Sequence, residues 1–551
     1  MHSNDKTNTN DKSKRNDKPI KDIVIVGGGS AGWLTAGVIA AEHKSNLASG
    51  VQVTLVESPD VSSIGVGEGT WPTMRETLDT IGISETDLFR ECDAAFKQGA
   101  KFAKWVTGAE DDFYYHPFVI PHGYHKTDLV IPWQKKRADI SFADAVCFQS
   151  HVCEKGLAPK QISTPEYAAV ANYAYHLDAV KLGKFLRAHC IEKLGVKHIV
   201  GHVTSVNGEI DGDISSVTTK EHGEISGDLF IDCTGFSSLL LGQHYQIPFI
   251  SKKHILFNDS AIATRVPYSD ENSAISSHTI STAQSAGWIW DIGLPTRRGV
   301  GYAYSSAHIS DSDAEKELRT YIANSIEERL QASAVQDQTK IQTGQEVADS
   351  LMVKKIPINP GHREIFWHKN CVAVGMASGF LEPLEASALV LIELAAAKIS
   401  KELPATRGVM DIVAKRYNQQ FQYRWQRVIE FLKFHYILTQ RKDTQYWRDN
   451  CKEETIPDSL LELMALWKHH PPSRHDFTQV DEVFPSSSWQ YVLYGMGFET
   501  IARSTDNKSL DHDLAEQLFN ENNQITAKYL NGLTDNRTLI NKIKQFGLQK
   551  V

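Results

Sequence analysis

The stretch KDIVIVGGGSAGWLTAGVIAAEH, Lys21 to His43, decides how this chain is read. DIVIV is a short apolar, β-branched run that suits a strand buried on both faces. A glycine turn follows, and then apolar residues at the spacing of an amphipathic helix. VQVTLVES, Val51 to Ser58, reads as a second strand, so the whole is a βαβ unit. Gly27, Gly29 and Gly32 set out GxGxxG between strand and helix, a fingerprint that also takes in Ala31 and Trp33. The first glycine allows the tight turn, the second lets a pyrophosphate approach the backbone, and the third packs helix on strand. Glu57 ends the second strand, where an acid accepts hydrogen bonds from an adenosine ribose.

At 551 residues the chain exceeds the usual single-domain range. Its net charge of -9 argues against a nucleic-acid or anionic-membrane partner, whose footprint is a basic surplus. Seven scattered cysteines without CxxC suggest neither disulfides nor zinc, and fit a cytoplasmic protein. No apolar run reaches membrane-spanning length. Residues 1–19 are polar and read as a disordered leader without the apolar core of a signal peptide. The expected plan is a nucleotide-binding module over 20–400, with substrate-pocket elements inserted at about 100–175, and a mainly helical module over 401–551.

GDLFIDCTGF, with Asp232 and Gly235, has the form of a strand and turn that return to the nucleotide in two-dinucleotide-fold flavoproteins. CVAVGMASGFLEPLE, with Met376 and Leu384, repeats that form and runs into the apolar helix of ASALVLIELAAAKIS. In such folds this helix points its N-terminus at the flavin ring. A single GxGxxG leaves no second nicotinamide site, so FAD is expected on an α/β Rossmann-like fold.

Three further stretches carry candidate chemistry. FLEPLE sets Glu382 and Glu385 at a helix mouth, where acids ordinarily complement the macrodipole. GWIWDIGLP carries Trp288 and Trp290 two apart, on one side of a strand, ordinarily a packed face. CDAAFKQGAKFAKW contains Lys97, Lys101 and Lys104, which by themselves read as snorkelling surface groups. His116, His122 and His125 have no acidic or thiol partner at metal-ligand spacing, so no metal is expected.

Together these stretches resemble the flavin-dependent tryptophan halogenases. The likeness covers GGGSAGW, IGVGEGTWP (with Gly65 and Gly67), AFKQGAKF, YYHPF, NYAYHLDA, LFNDSAIAT, GWIWDIG, FLEPLEAS and FHYILTQRKDTQYWR, in that order. The resemblance implies an enzyme in which reduced FAD and oxygen oxidise chloride or bromide to hypohalous acid. The oxidant then passes through a tunnel to a separate aromatic substrate. It implies that Lys97 handles the oxidant and that Glu385 assists attack on the ring. An amine can donate to the oxidant, and a carboxylate can stabilise the cationic intermediate and take its proton. Backbone amides near Ser387 and Ala388 would hold the halide, and Trp288 and Trp290 would wall flavin from substrate. His116 and Phe118 match substrate-pocket residues, with Trp489 in a segment that lines up loosely with the substrate cage. Glu382 is expected to keep a capping or structural role.

The family's glutamate-serine-threonine-glycine run reads here Glu385-Ala386-Ser387-Ala388, and Gly293 replaces the proline of WxWxIP. The substrate is therefore expected to be tryptophan or another electron-rich, indole-like aromatic. A separate flavin reductase is the expected source of reduced FAD, and a homodimer is the candidate assembly. The competing readings are a flavin monooxygenase and a noncatalytic FAD- or indole-binding protein.

Overall fold

In a computed structural model describing residues 18–60, 67–332, 343–501 and 512–550, Lys21 to Glu57 form the expected βαβ unit. Strand Asp22–Val26 leads through the glycine turn into helix α1, Ser30–Glu42, and back to strand Gln52–Glu57. The two strands pair in parallel from Asp22↔Gln52 to Val26↔Val56. Strands Leu229–Asp232 and Cys371–Ala373 extend the parallel sheet on one side, and Lys197–Val200 on the other. The two stretches expected to return to the nucleotide thus do return to one sheet. Their residues are all buried, as parallel strands covered on both faces must be.

Helix α1 differs from its sequence reading. Nine of its 13 residues are buried, including Thr35 and both internal glycines, so it has no solvent stripe. It is enclosed by helix Ala179–Glu192 and by α2, Ser387–Lys401. A helix covered on several sides needs small residues for close approach, which explains Gly32, Ala36 and Gly37.

A seven-stranded sheet forms the second layer. Its strand order is Lys354–Pro357, Ser260–Pro267, Arg297–Tyr304, Gly287–Gly293, Thr279–Ala283, Gly99–Ala103, Phe113–Pro117. GWIWDIG is central in it and wholly buried. Trp290 faces Gly301, where a Cβ would lie 2.1 Å from the indole, so the glycine gives the ring its place. A small sheet of Gly67–Gly69, Ala174–Asp178 and Ala95–Lys97 bridges the two layers.

The C-terminal part is helical. The 31-residue helix α3, Arg407–Ile437, is buried without a break from Arg427 to Tyr436, so its last turns enter the interior. Helix α4, Ser486–Gly495, lies on Phe113–Pro117, and Asn536–Phe546 lies on Glu85–Glu91. One hydrophobic cluster runs from Ile20 to Leu548, joining the parts on either side of residue 400. Residues 1–17 of the expected leader lie outside the described residues. Its last two are docked: Lys18 pairs with Asp228, and Pro19 bridges to Thr406. All seven cysteines are free, and no helix among the described residues is long and apolar enough to cross a membrane.

Candidate active site

The carboxyl ends of the parallel strands converge on the glycine turn. Gly27 has φ +116°, and a Cβ there would sit 2.2 Å from the Cys233 carbonyl oxygen. A Cβ at Gly32 would sit 1.9 Å from the Gly27 oxygen. The protein itself requires both glycines. At Gly29 an added Cβ meets nothing within 4 Å, so the space it guards belongs to something other than protein. Helix α1 starts there without a side-chain cap, leaving its first N–H groups for an anion. That is the cradle a dinucleotide pyrophosphate needs.

Other expected cofactor residues gather around it. The Glu57 carboxyl crosses the turn, its Cδ 2.2 Å from where Gly28 would carry a Cβ, with His198 Nε2 2.9 Å from Oε2. Met376 Cε is 3.7 Å from a Cβ built on Gly235, and the Ala31 methyl is 2.8 Å from one built on Gly375. Leu384 is buried nearby in chain on the turn leading to α2. Two of the expected residues have protein partners of their own. The Trp33 side chain is core, buried in α1 with its ring 5.1 Å from that of His198. The Asp232 carboxylate is fully buried and accepts from Thr234 Oγ1 and the Leu240 and Leu241 amides, so it shapes its own turn. Gly67 is buried against Ile292, and Gly65 lies outside the described residues.

Lys97, the last residue of a strand in the small sheet, lies within electrostatic reach of Glu385. Lys97 is buried, donates from Nζ to the Thr70 carbonyl at 3.4 Å, and stands 5.4 Å over the Phe118 ring. Burial lowers its ammonium to about 8, against the opposing pull of Glu385. Glu385 is also buried, with His116 Nδ1 2.9 Å from Oε1. His435 Nε2 lies 3.1 Å from the same oxygen, though out of line for a good hydrogen bond. Burial opposes the charge on Glu385, but the two imidazoles outweigh it and hold the carboxyl well below the usual range. Tyr114 fixes the second imidazole, its hydroxyl 2.6 Å from His435 Nδ1.

Gly69 is the spacer between Lys97 and the Ala386 turn. A Cβ on it would lie 3.1 Å from Lys97 Nζ and 3.4 Å from the Ala386 methyl. Two residues on, Trp71 Nε1 donates to the Glu385 carbonyl at 2.7 Å. The GEGTW segment therefore clamps lysine and glutamate from one side. Ala386 sits in the left-handed region at φ 55°, a conformation costing an alanine about 1–2 kcal/mol. The turn holds it there through the Ala386 amide, which donates to Pro383 O at 2.9 Å. Helix α2 then begins at Ser387 with no side-chain cap, Ser387 buried and Ala388 exposed.

The tryptophan halogenase family profile matches residues 22–509. The chain belongs to the tryptophan halogenase family. It is 34% identical over 522 residues to tryptophan 6-halogenase from Streptomyces toxytricini, covering 90% of this chain and 93% of that one. It is 29% identical to tryptophan 7-halogenase from Lentzea aerocolonigenes, covering 87% and 90%. The crystal structure of a tryptophan halogenase from Shewanella frigidimarina superposes with a TM-score of 0.90 at 48% identity, covering 98% of this chain and all of that one. The protein is thus a flavin-dependent halogenase with FAD as cofactor and a halide as co-substrate, on the Rossmann-like fold expected.

Within this halogenase, His116 and Phe118 stand beside Glu385 and Lys97, and Trp288 and Trp290 are neighbours with ring centroids 6.0 Å apart. Trp489 belongs to a layer behind. It is fully buried, its indole N–H donates to Phe484 O, and its ring packs on Phe431. Phe431 in turn reaches His116 and His435, and Phe484 reaches Trp71. The three histidines considered for a metal face different partners: Glu385, Glu521 and Tyr124. Sequence reasoning missed Gly69, Trp71, Tyr114 and His435. All four fell in stretches already singled out, but no spacing rule ties any of them to Lys97 or Glu385. A cavity of about 930 Å³ lies beside the start of α4, lined by Tyr124, Arg474, Phe477, Ser486, Ser487 and Gln490 among others.

Proposed function

We propose that this halogenase acts on an indole-bearing small molecule, with Lys97 and Glu385 as its catalytic pair. The carrying observation is that the amine and the carboxylate, distant in sequence, are both buried and close enough for the charge of Glu385 to act on the Lys97 ammonium, with Gly69 packed between Lys97 Nζ and the Ala386 methyl. FAD, when bound along the glycine turn, supplies the oxidising chemistry that converts halide to hypohalous acid. Gly29 and the uncapped start of α1 hold its pyrophosphate, and Glu57 its ribose. The Ser387 and Ala388 amides at the uncapped start of α2 hold the halide, as donors at the positive end of a helix.

Lys97 presents N–H to the oxidant's oxygen, which makes the halogen more electrophilic. Its lowered affinity for a proton keeps a share of free amine near neutral pH. Glu385 remains charged because His116 and His435 compensate its burial. A fixed anion at that point stabilises the cationic ring formed when halogen adds, and receives the proton that restores aromaticity. The relatives named above act on tryptophan at different ring positions by their names. A separate flavin reductase supplies reduced FAD, since one dinucleotide fingerprint is present.

The test is turnover with a reductase, FAD, oxygen and chloride or bromide over a panel of tryptophan and larger indoles, read by mass spectrometry. Halogenated product from the native chain and none from Lys97→Ala is the expected result. Hydroxylated product independent of halide would overturn the reading.

A further inference from the structure

Four of the stretches that marked the family contribute residues with no part in the Lys97–Glu385 chemistry above: Asn258 of LFNDS, the first tryptophan of GWIW, the first glutamate of FLEPLE, and Tyr436 and Tyr446 of FHYILTQRKDTQYWR. They meet at one buried carboxylate. Glu382 Oε2 accepts from Trp288 Nε1 at 2.7 Å, Asn258 Nδ2 at 2.6 Å and Tyr436 OH at 2.6 Å. Tyr446 OH donates to Asn258 Oδ1 at 2.9 Å and so fixes which way that amide points. Glu382, Asn258, Trp288, Tyr436 and Tyr446 are each about 1% exposed. Lys433, fully buried one turn back on α3, donates to Asn450 Oδ1 at 3.0 Å and lies 4.8 Å over the Phe257 ring.

A cap needs no such arrangement. A carboxylate capping α2 would accept from that helix's amides, whereas Glu382 accepts from three other segments and faces away from the helix start. Its other oxygen has no partner among the described residues, so the side chain's position is set by three donors on one atom. The neighbouring contact on α3 gives this its consequence. His435 lies against Glu385, and Tyr436, the next residue, donates to Glu382. Two consecutive residues of one rigid helix therefore hold the two glutamates of EPLE.

We propose that Glu382 is a positioning residue for halogenation: it fixes the Trp288 indole in the wall between flavin and substrate, and fixes the register of the turn that carries Glu385. This rests on placing Trp288 in that wall. A displaced indole opens a leak in the partition, so oxidant escapes instead of reaching the substrate. The quantity to measure is halogenated product formed per oxygen consumed.

Glu382→Ala removes the acceptor, whereas Glu382→Gln keeps a carbonyl oxygen for all three donors. The alanine variant is expected to lower product per oxygen by at least ~10-fold, and the glutamine variant to hold it within ~3-fold of native, the spread between losing and keeping a buried acceptor. Tyr436→Phe, which removes a single hydroxyl and is the safeguard if alanine does not fold, is expected to lower it by ~3- to 10-fold. A second readout needs no turnover. With 5-fluorotryptophan incorporated, the ¹⁹F resonance of Trp288, assigned through Trp288→Phe, should shift or broaden in Glu382→Ala and Tyr436→Phe and stay in place in Glu382→Gln. An unmoved Trp288 resonance in the folded variants overturns the positioning role, whatever the substrate panel shows. A moved resonance with unchanged product per oxygen overturns the role of that position in halogenation. Equal impairment of the glutamine and alanine variants also overturns it.

Discussion

Gly29→Ala separates what the fold needs from what the cofactor needs. The backbone at Gly29 has φ −77° and ψ −176°, which alanine adopts without strain, and the new methyl meets no protein atom within 4 Å. Alanine is a poorer N-cap than glycine but restricts the unfolded chain, so the two terms offset and stability should change by no more than about 1 kcal/mol. The methyl fills the approach to the α1 amides. Loss of one or two charge-assisted hydrogen bonds to a phosphate, at about 1.5–3 kcal/mol each, weakens FAD binding by roughly 100-fold. The assay is paired: thermal unfolding of the FAD-free protein, and FAD titration by quenching of flavin fluorescence. Halogenation should return at high FAD. Gly27→Ala and Gly32→Ala are the contrast, since their methyls would collide with carbonyl oxygens at 2.2 and 1.9 Å and should unfold the protein outright. A Gly29→Ala protein that binds FAD like the native chain would refute the assignment of that space to the cofactor.

Three other substitutions probe the Lys97–Glu385 pocket. Gly69→Ala places a methyl 3.1 Å from Lys97 Nζ, and it should cost about 10- to 100-fold in halogenation rate while FAD affinity is unchanged, since small misplacements of a catalytic group are costly. Lys97→Met should abolish halogenation and stabilise the fold. A lysine lowered to about 8 penalises folding below that pH, and the penalty fades as pH rises toward the free-lysine value. At pH 7 the gain should be about 1–3 kcal/mol in denaturant unfolding, and it should shrink by pH 10. His116→Ala removes a partner that holds Glu385 ionised. A carboxyl with a lowered folded pKa stabilises above its unfolded value and loses that contribution as pH falls. The variant should therefore lose about 1–3 kcal/mol at pH 7, with the difference from native narrowing on acidification, and its halogenation should fail at a higher pH on the acid side.

The sequence by itself determined the βαβ unit, because its cues are local: a buried strand, a turn only glycine can make, and an acid at the next strand's end. It also put Lys97, Glu385, His116 and Phe118 forward through the resemblance, and these four are brought together. It read α1 as amphipathic because helical spacing shows where apolar residues lie, not that other helices cover the remaining sides. It named Trp33 and Asp232 for the cofactor because they adjoin the motif; that the Trp33 ring packs on His198 and that Asp232 holds the amides of its own turn came only from the tertiary structure. It left Glu382 a capping or structural residue because position in the chain shows only the helix that follows. Tertiary structure alone brought Asn258, Trp288 and Tyr436 to that carboxylate, and Gly69, His116 and His435 to the Lys97–Glu385 pair. The physical reason is that buried charge must be compensated by groups within a few ångströms. In this fold those groups come from segments up to hundreds of residues away, and no local pattern records such a distance.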